Sequence, residues 1–141
     1  MNYNYYNLYG LTIQTTQEIE HLIPSHKIDE IDVLVNFQED LTESEYIFKH
    51  KATEIYASYG LAQNDIPYLT IWKQYENREE FLVIRYTNGE ETAFFVIDID
   101  GNKVNVLYHP TILIDDVLTY FLGPVIGCVL RLKNKVCLHA S

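Results

Sequence analysis

Four strand-like runs follow one another between residues 68 and 109: Tyr68 to Tyr75, Glu80 to Thr87, Glu91 to Ile99 and Lys103 to His109. Asn88-Gly89 separates the second from the third. That dipeptide supplies the positive-φ residues a tight hairpin turn needs. Asp100-Gly101-Asn102 does the same between the third and fourth. These turn signals make an antiparallel meander the organising unit of the chain, and whatever lies on either side must pack against it.

Three further segments read as strands ahead of the meander. Tyr3 to Ile13 places Tyr3, Tyr5 and Tyr9 on one face and Tyr6 and Leu8 on the other. Ile31 to Phe37 alternates apolar and mixed positions, and Thr53 to Tyr59 is a weaker strand ending at Gly60. Thr15 to His26 reads as a loop carrying Leu22-Ile23-Pro24, and Glu39 to Glu45 is acidic and expected to be exposed. Beyond Pro110 the period changes. Thr111 is a candidate cap for a helix whose first turn holds Asp115 and Asp116, where carboxylates favour the positive end of the dipole. Gly123-Pro124 is expected to restart that helix. Leu122, Val125, Ile126, Val129 and Leu130 then form one apolar stripe, while Gly123 and Gly127 would let another backbone approach closely.

The resulting expectation is an α+β fold. It has a mostly antiparallel sheet, two C-terminal helical segments and a last strand that the sequence cuts short. Residues 1–110 read as a β-rich N-terminal domain and 111–135 as a helical connector, with a strand opening over 136–141.

Charge and cysteine content narrow the function classes. The chain of 141 residues is 48% hydrophobic, enough for one domain with a core. Its formal charge is -10; residues 131–141 hold Arg131, Lys133, Lys135 and no acid, which leaves -13 for the rest. Such a surface repels nucleic-acid phosphates and offers no polybasic patch to anionic lipid, so neither is an expected partner. The most apolar run, Val117 to Leu130, is too short to span a bilayer and is interrupted by Gly123-Pro124. Cys128 and Cys137 are the only cysteines, and no secretory leader is recognisable at the N-terminus. Buried, reduced thiols in a cytoplasmic protein are the matching expectation.

A resemblance adds a family. Tyr9-Gly10-Leu11-Thr12-Ile13, Leu122-Gly123-Pro124-Val125-Ile126-Gly127, Leu130-Arg131-Leu132 and Cys137-Leu138-His139-Ala140-Ser141 together resemble the N-terminal half of HPr-kinase-like proteins. In that family a β-rich region and a helical connector lead into a P-loop kinase domain of the phosphoenolpyruvate-carboxykinase type, which phosphorylates a serine on a protein or peptide. The Leu138-His139-Ala140-Ser141 segment is similar to the first strand of that kinase core. The resemblance implies that the chain is the front piece of a longer protein. It also implies that His139 lies on the strand entering the nucleotide site, with a role only where the kinase half is present.

No G-x-x-x-x-G-K-[ST] loop occurs in the sequence. That loop supplies the N–H groups, lysine and hydroxyl that hold phosphates and magnesium. ATP and magnesium are therefore expected only of an intact kinase, with no cofactor, metal or catalytic residue in this chain. The expected function is that of a non-catalytic accessory domain that positions a protein or peptide substrate or mediates assembly. The alternative is a free-standing interaction module that lacks the kinase half. Apolar surface left by a missing half suggests self-association, with a dimer covering Val125, Val129 and Val136.

Other constellations weigh less. Cys137 and His139 share a strand face but have no third orienting group. Asp98-Ile99-Asp100-Gly101-Asn102 lacks calcium-loop spacing, because the residue eleven beyond Asp98 is His109 rather than glutamate. His21, His26 and His50 have no metal-ligand spacing. Among the twelve tyrosines, Tyr3, Tyr5 and Tyr9 form a candidate partner-binding face, or mark an edge to which an extended substrate adds as a strand. Ordinary sheet packing is the competing reading, since tyrosine is favoured in strands.

Overall fold

A computed structural model describes residues 3–25, 30–39, 52–63, 65–76 and 78–134. Eight strands form one sheet: β1 (Asn4–Leu8), β2 (Leu11–Thr15), β3 (Val33–Gln38), β4 (Ala52–Ala57), β5 (Leu69–Glu76), β6 (Glu79–Thr87), β7 (Thr92–Asp98) and β8 (Lys103–Tyr108). Their order across the sheet is β1-β2-β3-β8-β7-β6-β5-β4. From β4 to β8 each strand pairs antiparallel with the next in sequence, which is the meander the turn residues predict. Gly89 and Gly101 take the positive φ values of 103° and 72° that those turns require. Asp98 Oδ1 accepts from the backbone N–H groups of Asn102 and Lys103 at 2.7 and 2.9 Å, fixing the second turn.

The N-terminal part departs from expectation. Tyr3 to Ile13 is not one strand but a hairpin, with β1 antiparallel to β2 and a turn at Tyr9-Gly10, whose φ values are 52° and 81°. Two consecutive positive φ angles are the signature of the turn whose twist matches a two-residue hairpin. Gly10 carries the turn, within a run whose alternating tyrosines have the pattern of one continuous strand. The sheet is also not purely antiparallel: β3 lies parallel to both β2 and β8. Short turn dipeptides announce hairpins, whereas a parallel pairing leaves no local signal.

After β8 the chain forms α1 (Ile114–Tyr120), a π turn (Phe121–Val125) and α2 (Ile126–Leu132) without a break. Asp115 and Asp116 occupy the first turn as expected. Thr111 does not cap the helix; Leu113 holds the cap position with no side-chain bond. Pro124 does not restart it either. Proline removes one N–H from the ladder, and the wider π turn around it absorbs that loss while the axis continues.

The helix lies against one face of the sheet. Val117, Phe121, Val125, Ile126, Val129 and Leu130 are at most 1% exposed and share a core with Ile13, Val35, Ile84, Phe95, Ile97, Val104 and Val106. Each such side chain contributes about 1.5–3 kcal/mol by leaving water. Phe37 meets the rings of Phe121 and Tyr108 edge-on at 5.7 and 6.4 Å, and Tyr86 stacks on Tyr120 at 3.9 Å. Because Val125 and Val129 are fully buried, they are not available for the expected dimer contact. Val136 lies outside the described residues, as do Cys137, His139 and the whole 136–141 strand opening.

The close approach anticipated at Gly123 and Gly127 occurs elsewhere. A Cβ at either would meet nothing within 4 Å, whereas one at Gly101 would lie 3.2 Å from the Val129 carbonyl oxygen. The β7–β8 turn thus seats the C-terminal end of α2, and Lys133 Nζ donates to Asn102 Oδ1 at 2.7 Å. On the opposite face of the sheet a smaller cluster of Val83, Phe94 and Leu107 packs with Trp72 and Val96. Arg85 stacks over the Trp72 ring at 4.9 Å.

Candidate peptide-docking groove

A sheet presents unpaired backbone groups only at its edges, so the two edge strands are where an extended partner can add. At β1 that edge is closed. Ser25 N–H donates to the Tyr5 carbonyl at 2.7 Å, Pro24 bridges Tyr6, and Asn7 Nδ2 donates to Ser25 Oγ at 3.3 Å. At β4 no described strand lies beyond the outer edge.

The register of β4 on β5 shifts between Glu54 and Tyr56, leaving Ile55 as a bulged residue. A bulge breaks the alternation of faces, so two successive side chains turn the same way. Ile55 and Tyr56, 50% and 48% exposed, both line a groove of about 780 Å³ between the sheet edge and the helix. Leu69, Ile71 and Leu82 line it from the sheet, and Pro124, Gly127, Cys128, Arg131 and Leu132 from the helix. The open space at Gly127 is part of this groove, and no described residue fills it.

Two groups give the groove its chemistry. Cys128 is half-buried, and burial pushes its thiol above the ordinary value, partly offset by the charge of Arg131. A thiol held neutral there is an apolar wall rather than a nucleophile. Arg131 is exposed, is the only charged residue among those lining the groove, and has no ion-pair partner among the described residues.

The three tyrosines are not in this groove. Tyr3 lines a shallow depression of about 300 Å³ on the opposite face of the sheet, with Gln14, Leu34, Asn36, Lys103 and Asn105. Tyr3 precedes β1, Tyr5 lies within it, paired with Gln14, and Tyr6 turns into the core, where its hydroxyl accepts the Ile19 N–H at 2.9 Å. Tyr9 is 45% exposed in the hairpin turn, so it is not on a strand face with the other two. His139 lies outside the described residues. Among the described residues no group of histidine, cysteine and carboxylate side chains could hold a metal ion.

One polar cluster has the composition of a catalytic triad. Thr111 Oγ1 makes a short hydrogen bond to Glu91 Oε2 and lies 2.7 Å from His109 Nδ1. Nucleophilic catalysis would need the imidazole to take the hydroxyl proton. Here the hydroxyl donates to Glu91, whose carboxyl is held below its ordinary value chiefly by that bond, with help from Asn88 and His109. The cluster is a clasp joining the β6–β7 turn to the helix entry.

Sequence reasoning missed the residues that build the groove. The weak strand at 53–59 carried a usable signal, because consecutive Ile55-Tyr56 breaks its alternation. Arg131, a lone cation between Leu130 and Leu132, carried another. No family model, curated protein or solved structure matches the chain.

Proposed function

We propose that this chain is the non-catalytic accessory domain of an HPr-kinase-like serine kinase, and that it holds a protein or peptide substrate as a strand added along β4. The observation that carries this reading is the outer edge of β4, beyond which no described strand lies, beside an apolar groove. An added strand gains main-chain hydrogen bonds from the edge and buries alternate side chains in the groove. β1, whose edge is already satisfied by Pro24 and Ser25, has no comparable capacity. The family assignment draws on the sequence resemblance, and the absence of a P-loop motif from the sequence supports the non-catalytic part.

Hydrogen–deuterium exchange tests the site. Incubation with peptides selected for binding should slow exchange at β4 amides and leave β1 unchanged. Protection confined to β1, or none at all, refutes the added-strand reading. Saturable binding of magnesium-ATP to the purified chain would refute the non-catalytic one.

A further inference from the structure

Among the described residues that line it, the groove next to β4 has one charged side chain, and that side chain specifies the occupant. Gly127 and Arg131 are four residues apart on α2, about 6 Å along the axis at 1.5 Å per residue. Side chains on one face of an extended strand repeat every second residue, at about 6.6–6.8 Å. A strand added so that it runs alongside α2 matches this spacing, with one side chain over the space at Gly127 and the next same-face side chain on Arg131. Against Gly127 and Cys128 that first side chain is apolar. Against a guanidinium with no ion-pair partner among the described residues and an apolar surround, the second is a carboxylate, which Arg recognises through its fork of donors.

A second copy of this chain does not meet that requirement. Antiparallel pairing of β4 with β4 across a two-fold axis brings Ile55 and Tyr56 to the groove again. Glu54, paired with Trp72, lies on the opposite face, so no β4 carboxylate reaches Arg131. Two chains of charge -10 also repel at long range.

Resting on the docking role assigned above, we propose that the groove takes an extended segment of another protein. That segment has an apolar side chain over Gly127 and an Asp or Glu two residues away on Arg131. Long-range repulsion from the acidic surface slows the encounter of such a segment, while the short-range contact with Arg131 sets which segment stays.

The test is panning of a randomised octapeptide display library against the full chain and against Arg131→Gln, Arg131→Glu and Gly127→Leu. Circular dichroism shows that each variant is folded. The wild type should enrich peptides with an apolar residue and an acid spaced by two. Replacing that acid by its amide should weaken binding roughly tenfold, as expected for loss of a charge-assisted bond. Arg131→Gln should erase the preference, and Arg131→Glu should turn it toward Lys or Arg. Enrichment that Gly127→Leu abolishes but that shows no acidic preference overturns the carboxylate assignment and leaves the docking site standing. Enrichment indifferent to Gly127→Leu, or none above the naive library, overturns the site itself. A concentration-dependent dimer in sedimentation that Gly127→Leu dissolves makes the occupant a second copy and overturns the proposal.

Discussion

Gly127→Ala and Gly101→Ala make the same chemical change and should move stability in opposite directions. Gly127 is helical, and an added methyl there meets nothing within 4 Å. The substitution removes the conformational freedom that disfavours glycine in a helix, a gain of about 0.8–1 kcal/mol. Gly101 has a φ of 72°, and its added Cβ would sit 3.2 Å from the Val129 carbonyl oxygen and 3.3 Å from Lys133 Cγ. The left-handed backbone costs an L-residue about 1–2 kcal/mol, and the contact with backbone oxygen adds to that because α2 has to shift. Urea unfolding followed by circular dichroism reads both. With a slope of about 2 kcal/mol per molar, the midpoint should rise by roughly 0.4–0.5 M for Gly127→Ala and fall by about 0.5–1 M or more for Gly101→Ala. Equal slopes are required for the comparison. Midpoints moving in the same direction would refute the claim that α2 seats its end on the β7–β8 turn while its Gly127 face stands open.

Tyr6→Phe leaves the buried Ile19 N–H without its acceptor and should cost about 1–3 kcal/mol by the same unfolding assay. Burial raises the pKa of Tyr86, Tyr108 and Tyr120, so these hydroxyls stay neutral in the fold at pH values where an unfolded tyrosine ionises. Their contribution is complete below the ordinary tyrosine pKa and is lost as pH rises through the folded values. Absorbance at 295 nm should show late-ionising tyrosines whose titration coincides with loss of near-ultraviolet dichroism. Thr111→Val should raise the Glu91 pKa toward its ordinary value in a carbon-detected NMR titration, because its largest lowering influence is removed.

The meander was legible because its turns are written in Asn88-Gly89 and Asp100-Gly101-Asn102, and the apolar stripe of the helix because its period is local. Leu122, the outermost member of that stripe, is only partly buried, and the other four are core. Long-range partners were not legible. Nothing near Val33 states that β3 will lie between β2 and β8, since both neighbours are chosen by what remains unpaired once the hairpins exist. Thr111 looked like a cap because its side chain suits one, yet the same hydroxyl serves Glu91, a residue twenty positions away that no local pattern connects to it. The groove was hidden for the same reason: it exists only where the β4 edge and α2 face each other across distant parts of the chain.

The position of β3 has a consequence for how the molecule assembles. β4 to β8 can zip hairpin by hairpin, each closing a short loop, whereas Leu34 and Lys103 are about seventy residues apart. Loop closure over that distance is slow and entropically costly, so β1–β3 should join last. The β3–β8 ladder is then a seam along which the N-terminal three strands detach together before global unfolding, and native-state amide exchange should report them as one cooperative unit of lower protection than the meander.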